Sequence, residues 1–520
     1  MKKQLSQVLP FFENQFISGN KDVEISSLVF DSRDVKPGSL FFALPGTHTT
    51  GNKFIPQAVA NGAAAVVFEG QFEDFAKYPE VSFVKVPSAR FAMGPLSEHF
   101  YDNPSGKLVV IGVTGTEGKS STVSFLWQLL KLSGIKAGFI STVQYSLGDD
   151  AIDNPQHQTT PEAPIVQRQL YEMLQNGCTY AVVESSSHGL SEKTNRLGNV
   201  LFDCGIFMNV TLEHLEFHGT YEQYKSDKAN LFRALDKHDH KKIIGGKEIT
   251  VPSLGIVNAE DKAAEYFAEC TTHDVYAFAT KECSVPAKVK STYRCSSIVS
   301  DAKGISFDLT FDSKTISVKS PLPGAFNSYN LTATLIAISK LTGKPVEELA
   351  KLLEAFTPVK GRMTVIDQSQ PFEVIVDYAH TPSSFQTIFP PIRNRCKGKM
   401  ICVFGSGGER DTKKRPLQGA LAAEYCDIVI LADEDPRGEE PMALLEDIAK
   451  GAREKGKVDG KDLLLIPPRP EAIRKAFSLA AKDDIVLLLG KSHENSIIYK
   501  DYVMKYDEIE EAKKALGELL

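Results

Sequence analysis

Short apolar runs alternate with amphipathic stretches along nearly the whole chain. Residues 109–113 (VVIGV), 180–183 (YAVV), 372–376 (FEVIV), 400–404 (MICVF) and 484–489 (DIVLLL) are continuous enough to be strands buried on both faces. Each ends in Gly or polar residues, and helical periodicity follows several of them. This order predicts an α/β protein with mainly parallel sheets. Between about 240 and 320 the pattern turns to strict alternation, as in ISFDLTF and TISVKS, which predicts an antiparallel patch beside the parallel sheet. Near the start, SLVFDSRDVKPGSLFFAL predicts strands around a turn, and IPQAVANGAAAVVFEG predicts a helix. YDNPSGK (101–107) carries Asn-Pro and Ser-Gly, both structure breakers, and predicts a linker. A second change of pattern falls near TPVKGRM. The expected domains are therefore 1–106, 107–356 and 357–520, with no short-period repeat.

Composition narrows the class. A chain of 520 residues exceeds one core. Net charge is −7 with no basic block, which argues against nucleic acid as the main partner. No apolar run reaches the roughly 18 residues of a membrane span, and MKKQLSQVLPFFENQ lacks a signal-peptide apolar core. The eight cysteines form no Cys-x-x-Cys pair, and Cys178, Cys204, Cys402 and Cys426 adjoin apolar runs. Buried thiols in a reducing cytoplasm are expected.

Candidate chemistry begins at VVIGVTGTEGKSST (109–122). A strand stops at a glycine-rich turn, and Lys119-Ser120 open a helix. Val113 stands where the common Gly-x4-Gly-Lys spelling needs glycine, so the loop reads Gly112-x2-Gly115-x2-Gly118-Lys119-Ser120. Backbone N–H groups entering a helix attract phosphate oxygens. Lys119 would meet the β/γ-phosphates, and the Ser120 hydroxyl would face Mg²⁺. Glu184 ends the next strand, where such folds place an acidic metal partner; an N-cap or salt bridge is the alternative. His214 and His218 have i, i+4 spacing, but Gly219 interrupts the helix and no third zinc ligand is near. Lys225 and Lys228 share a helical face and read as solvent lysines. Asn327 and Asn330 open a helix, as caps or as nucleotide contacts. VDYAHTP (376–382), FGSGGERD (404–411), DEDPRGEEP (433–441) and GKSHE (490–494) follow apolar strands of the last domain, where α/β sheets bind ligands.

Taken together, DSRDVKPGSLFFAL, GVTGTEGKSST, QTTPE, VVESSSHGL, NVTLEHLEFHGTYEQYKSDK, GRM, VDYAHTP, FGSGGERDTKKRP, DPRGEEP and GKSHE follow an order that resembles the Mur ligases, ATP-dependent amide ligases of peptidoglycan precursor synthesis. They cover residues 28–495. The resemblance implies an N-terminal uridine-binding α/β domain, a central P-loop ATPase and a C-terminal Rossmann-like domain. It implies a monomer that adds a diamino acid to UDP-N-acetylmuramoyl-L-alanyl-D-glutamate through an acyl phosphate, with ATP and Mg²⁺. Gly115, Thr116, Glu117, Gly118, Lys119, Ser120, Ser121, Asn327, Asn330, Arg362 and Asp377 would hold ATP. Ser32, Thr47, His48, Thr49, Thr159, Thr160, Ser186 and Arg196 would hold the UDP-sugar dipeptide. Ser120, Glu184, His214 and Lys228 would hold the metal, Lys228 as a carbamate made with CO₂. Arg410, Asp435, Pro436, Arg437, Gly438, Gly490 and Glu494 would receive the amino acid. The catalytic set implied is Lys119, Glu184, His214 and Lys228.

The chain also departs from the family pattern. Diaminopimelate-adding members carry Asp-Asn-Pro-Arg where this chain has Glu434-Asp435-Pro436-Arg437. Arg437 suits a distal carboxylate. Asp435 favours a bare ammonium, so lysine, ornithine and meso-diaminopimelate all stay open, and the answer depends on whether the two residues pair. Ser492 replaces a usual glycine, and the segment 191–196 is about two residues longer than usual. Two other readings are a folylpolyglutamate synthase, against which the residues before the phosphate loop count, and a non-enzymatic nucleotide switch.

Overall fold

The computed structural model describes residues 1–46, 50–154, 158–211 and 213–519. Three large sheets divide them, beside three two-stranded ones. In the first, Ser27–Val29, Ser39–Ala43, Ala63–Phe68 and Ser82–Lys85 run parallel in that order, and Gln15–Ser18 closes one edge antiparallel. The expected helix at 55–70 is only Ile55–Ala60. Asn61 and Gly62 end it, Gly62 at φ +100, and AAAVVF becomes a buried strand. Val66 and Val67 fit a pleated core position better than a helix of this length fits them.

The central sheet has eleven strands. Val109–Thr114 lies near its middle, between Tyr180–Glu184 and Cys204–Phe207, both parallel to it. All six of its residues are buried. One apolar cluster, with the helices Lys119–Leu132 and Asn327–Thr342, covers one face. A second, with Ala163–Gln175 and Tyr221–Leu235, covers the other. Such double coverage is why these strands read as unbroken apolar runs. Leu254–Asn258 and Asp274–Ala279 extend the parallel part. The expected antiparallel patch is Val289–Asp301, Gly304–Phe311 and Lys314–Ser320 at one edge of the sheet, with a separate hairpin of Lys241–Ile244 and Lys247–Thr250; Gln144–Ser146 and Ile152–Asp153 make the opposite edge antiparallel too.

The linker at 101–107 is a built joint. Pro104–Lys107 forms a 3₁₀ turn. The buried Lys242 ammonium donates to Ser105 O (2.7 Å) and Leu201 O (2.8 Å) and pairs with Asp203 Oδ2 at 3.0 Å.

In the third sheet the order is Thr364–Ile366, Glu373–Asp377, Ile485–Leu489, Met400–Phe404, Ile428–Leu431, Leu463–Leu465, parallel except for the first. The three strands singled out from sequence are thus neighbours, and Asp377, Gly405 and Gly490 emerge at one edge. All eight cysteines are free, and five are buried: the four beside the apolar runs and Cys295. No helix among the described residues is long and apolar enough to cross a membrane.

Candidate active site

The phosphate loop joins the buried strand Val109–Thr114 to the helix Lys119–Leu132. Gly118 takes φ +82, and a Cβ there would stand 2.9 Å from Asn330 Oδ1, so glycine is needed both for the turn and for the close approach. Asn209 organises the loop. Its Oδ1 accepts from the N–H groups of Thr116 (3.0 Å) and Glu117 (2.9 Å), and its Nδ2 donates to Glu117 O (3.2 Å). Those two N–H groups are therefore spent. Among the described residues, the N–H groups of Gly118, Lys119, Ser120 and Ser121 make no hydrogen bond, so the donors still open to an anion are those of the helix N-terminus. Lys119 Nζ folds back to donate to Thr116 O at 2.7 Å.

Glu184 ends its strand 1% exposed. Oε1 accepts from Ser120 Oγ (3.0 Å), and Oε2 from Ser141 Oγ and from Thr142 N (2.9 Å). It neither caps a helix nor, among the described residues, forms an ion pair. A buried carboxylate surrounded by oxygen and N–H donors and lacking a cationic partner has the donor chemistry of a Mg²⁺ site. His214 caps a short helix at φ +57 and faces Glu213 and Glu216. His218 is turned away from it: Nδ1 lies 2.6 Å from Asp227 Oδ2 and Nε2 3.0 Å from Ser187 Oγ. The two histidines do not converge on one metal. Asp203, His238 and His240 do cluster, but the Lys242 ammonium and the His240 ring already engage Asp203.

Lys228 departs from the solvent reading. On the helix Tyr221–Leu235 it is 2% exposed, donates from Nζ to Gly115 O (2.6 Å), and lies 4.6 Å from the Tyr224 ring centroid. Burial, aided by the Lys119 charge, pushes its ammonium well below the usual lysine range. Lys225 is the outer one, paired with Glu222 at 2.5 Å.

A cavity of about 510 Å³ opens between the carboxyl ends of the central and third sheets. Ser120, Glu184, Asn330, Arg362 and Asp377 line it. A second, of about 290 Å³, adjoins it and is lined by Lys228, Ser186 and Arg196. Lys119, Thr159, Glu213, His214 and Arg410 face both. Asn330 Nδ2 donates to Asn327 Oδ1 (3.0 Å), and Asn327 Nδ2 to Pro323 O (2.7 Å), so neither amide caps its helix. Asn327 stands behind Asn330 and does not line the cavity. Asp377 accepts from Met363 N and Ala379 N, both at 2.8 Å. Burial raises its carboxyl above the ordinary range, against the pull of Arg362. Arg362 lies over the Tyr378 ring at 4.6 Å and reaches Ser120 Oγ at 3.4 Å.

Other expected residues are held back. Thr160 is fully buried and donates to Glu184 O (2.8 Å) with its hydroxyl beside Ser186 Oγ (2.9 Å). Arg196 spans Thr160 O (3.0 Å) and Glu162 Oε1 (2.9 Å). Ser32 lies in the first sheet's layer, donating to Gln57 Oε1 at 2.8 Å, and faces neither cavity. Thr47, His48 and Thr49 lie outside the described residues.

Of the residues expected to receive the amino acid, Asp435 and Arg437 do not pair with each other. Asp435 Oδ1 accepts from Lys491 Nζ (2.9 Å) and Ile498 N (3.0 Å). Lys491 also meets Glu494, and its side chain is fully buried. The charge expected from Asp435 is thus offset, whereas Glu434 Oε2 and Arg437 Nε are buried with no hydrogen-bond partner among the described residues. Gly408 N donates to Asp435 O at 2.8 Å, and a Cβ on Gly408 would stand 1.9 Å from Pro436 O, so the 405–408 loop packs flat on the 435–438 turn. Gly438 is exposed beside Glu409. Asp435, Pro436, Arg437, Gly490 and Glu494 face neither cavity. Tyr378 connects them to it, its hydroxyl donating to Glu494 Oε1 at 3.4 Å. Asn209, Lys491 and Tyr378 escaped sequence reasoning. A loop Asn, a Lys after Gly and a Tyr after Asp have no distinguishing spacing, and their partners are remote in sequence.

Comparison with known proteins agrees with this architecture. The family models for the Mur ligase family catalytic domain, the Mur ligase middle domain and the Mur ligase glutamate ligase domain match residues 24–101, 113–338 and 361–492. The chain belongs to the Mur ligase family and is an ATP-dependent ligase. It is 52% identical to a UDP-N-acetylmuramyl-tripeptide synthetase of Treponema denticola, over 99% of this chain and 98% of that protein. It is 32% identical to a UDP-N-acetylmuramoyl-L-alanyl-D-glutamate–2,6-diaminopimelate ligase of Clostridium tetani, over 99% and 100%. Among solved structures, a ligase of that same description superposes with a TM-score of 0.62 at 25% identity, covering 100% of this chain and 99% of the other.

Proposed function

We propose that this ligase joins a diamino acid to the γ-carboxylate of UDP-N-acetylmuramoyl-L-alanyl-D-glutamate, in cytoplasmic peptidoglycan precursor synthesis. The observation that carries the reading is the pair of adjoining cavities. A phosphate cradle and a buried carboxylate occupy one, a buried lysine and Ser186 the other, and Lys119, His214 and Arg410 face both. A carboxylate does not condense with an amine in water. The γ-phosphoryl group of ATP must first make it an acyl phosphate, from whose carbonyl carbon the amine then displaces phosphate through a tetrahedral intermediate.

Each residue has a physical part in this. The N–H groups of Gly118–Ser121 and the Lys119 ammonium neutralise charge on the transferring group. Arg362, Asp377 and Asn330 orient the nucleotide from two domains. Ser120, Glu184, His214 and Lys228, the last as a carbamate, would hold Mg²⁺, which would supply charge neutralisation for the transferring phosphoryl group. Burial of Lys228 disfavours its ammonium and so favours the neutral amine, the form that adds to CO₂, and the carbamate would place a negative charge beside Lys119. Arg410, Lys491, Glu434, Glu494 and Arg437 form the side on which the amine enters.

Phosphate release tests the proposal, with ATP, Mg²⁺, the acceptor and, separately, L-lysine, L-ornithine and meso-diaminopimelate. Release that needs both acceptor and one of the amines is expected. Preference for lysine or ornithine assigns recognition to the acidic Glu434–Glu494 side, and preference for diaminopimelate assigns it to Arg437. Release regardless of amine would contradict the proposal.

A further inference from the structure

Glu117 stands inside the phosphate loop and in the wall of the larger cavity, and its carboxylate is bonded across that wall to the third domain. Its backbone is clamped on both sides by Asn209. Its Oε1 accepts from Ser383 Oγ (2.6 Å) and Thr381 Oγ1 (3.0 Å), more than 260 positions away in sequence. Those hydroxyls belong to the first turn of the helix Pro382–Arg395 in the third domain, where Thr381 and Ser384 form a capping box. The same strand-to-helix turn carries Asp377, Tyr378 and His380, all lining the larger cavity. One carboxylate therefore ties the loop that receives phosphate to the segment that completes the site from the other domain.

Charge gives this tie a consequence. A carboxylate loose beside a polyphosphate repels it, whereas a helix N-terminus with two hydroxyl donors holds it favourably. We infer that Glu117 is a positioning residue that makes nucleotide affinity depend on docking of the C-terminal domain. With the domain docked, the carboxylate is parked on Thr381 and Ser383 and the cradle is clear. With it undocked, the carboxylate returns beside the cradle and penalises phosphate. Linkage is reciprocal, so nucleotide binding favours the docked form in which Asp377 and the amine-receiving side are in place. This deepens the ligase reading and rests on it only for turnover. The binding arm of the test is independent of it.

The test is a double-mutant cycle on Glu117 and Ser383, read as ADP affinity by titration calorimetry, with thermal unfolding to verify folding. Ser383→Ala removes the shorter of the two hydroxyl donors to the carboxylate and leaves only Thr381 Oγ1, and is expected to weaken ADP about tenfold, the loss of one charge-assisted hydrogen bond. Glu117→Ala is expected to bind ADP at least as tightly as the unmodified chain, and Glu117→Ala/Ser383→Ala to match Glu117→Ala. In turnover, Glu117→Ala should raise the KM for the amine several-fold more than it lowers kcat. Additive weakening by the two single substitutions, or no effect of Ser383→Ala, would overturn the inference. If the unmodified chain releases phosphate without needing acceptor and amine, the ligase reading fails and the binding cycle still decides the role of Glu117.

Discussion

Lys228 shows how far a single residue can be read from its spacing. On a helical face beside Lys225 it looks solvated, and only the family resemblance gave it a role. The fold buries it because Tyr221–Leu235 packs that face against the strand bearing the phosphate loop. Lys228→Ala is expected to lower turnover by at least about 100-fold, the loss of one electrostatic element of the site. Added short carboxylic acids should restore part of it, and full activity of the variant would remove the carbamate. Asp433 offers a different test. Burial raises its carboxyl from 3.8 to about 6, despite the Tyr499 hydroxyl and Arg469. A raised carboxyl binds more protons folded than unfolded across that window. Its contribution is therefore full below pH 3.8 and is lost as pH rises through about 6. Asp433→Asn should flatten the fall in thermal stability between those values, and an unchanged slope would refute the assignment.

Elements were more legible than their edges. The parallel strands of the second and third domains were plain as apolar runs because both faces are covered. AAAVVF was hidden because a helix of six residues, Ile55–Ala60, directly precedes it and both segments are alanine-rich. The last helix, Glu508–Leu519, is docked by an ion pair no local pattern announces. Arg469 Nη2 lies 2.6 Å from Glu508 Oε1, with both side chains fully buried. Arg469 also donates to Leu489 O at 2.7 Å, just before Gly490. Removing one partner strands a buried charge, so Glu508→Ala should cost about 3–5 kcal/mol in denaturant unfolding. Replacing both residues by apolar ones of similar volume should cost far less. Equal losses would show that packing, not the pair, matters there.

At the scale of the molecule, the sequence motifs gave candidate site residues, but the gathering of some of them around one cavity is tertiary. Arg362 reaches Ser120, Glu117 reaches Ser383, and Lys360 bridges Asp153 (2.8 Å) and Asp507 (3.3 Å) from opposite sides of the junction. Pairings at such separation have no signal in one sequence, which is also why the Asp435–Lys491 contact could not be foreseen. Lys360→Ala removes two partly exposed pairs, each worth at most about 1 kcal/mol. It should leave thermal stability within about 2 °C and raise the amine KM through looser docking. The central claim is that ATP activates a carboxylate by phosphorylating it. The most direct measurement uses UDP-N-acetylmuramoyl-L-alanyl-D-glutamate labelled with ¹⁸O in the γ-carboxylate and follows the label by mass spectrometry during turnover with ATP, Mg²⁺ and the accepted amine. An acyl phosphate carries one labelled oxygen into each phosphate released. Unlabelled phosphate with amide product would contradict the account.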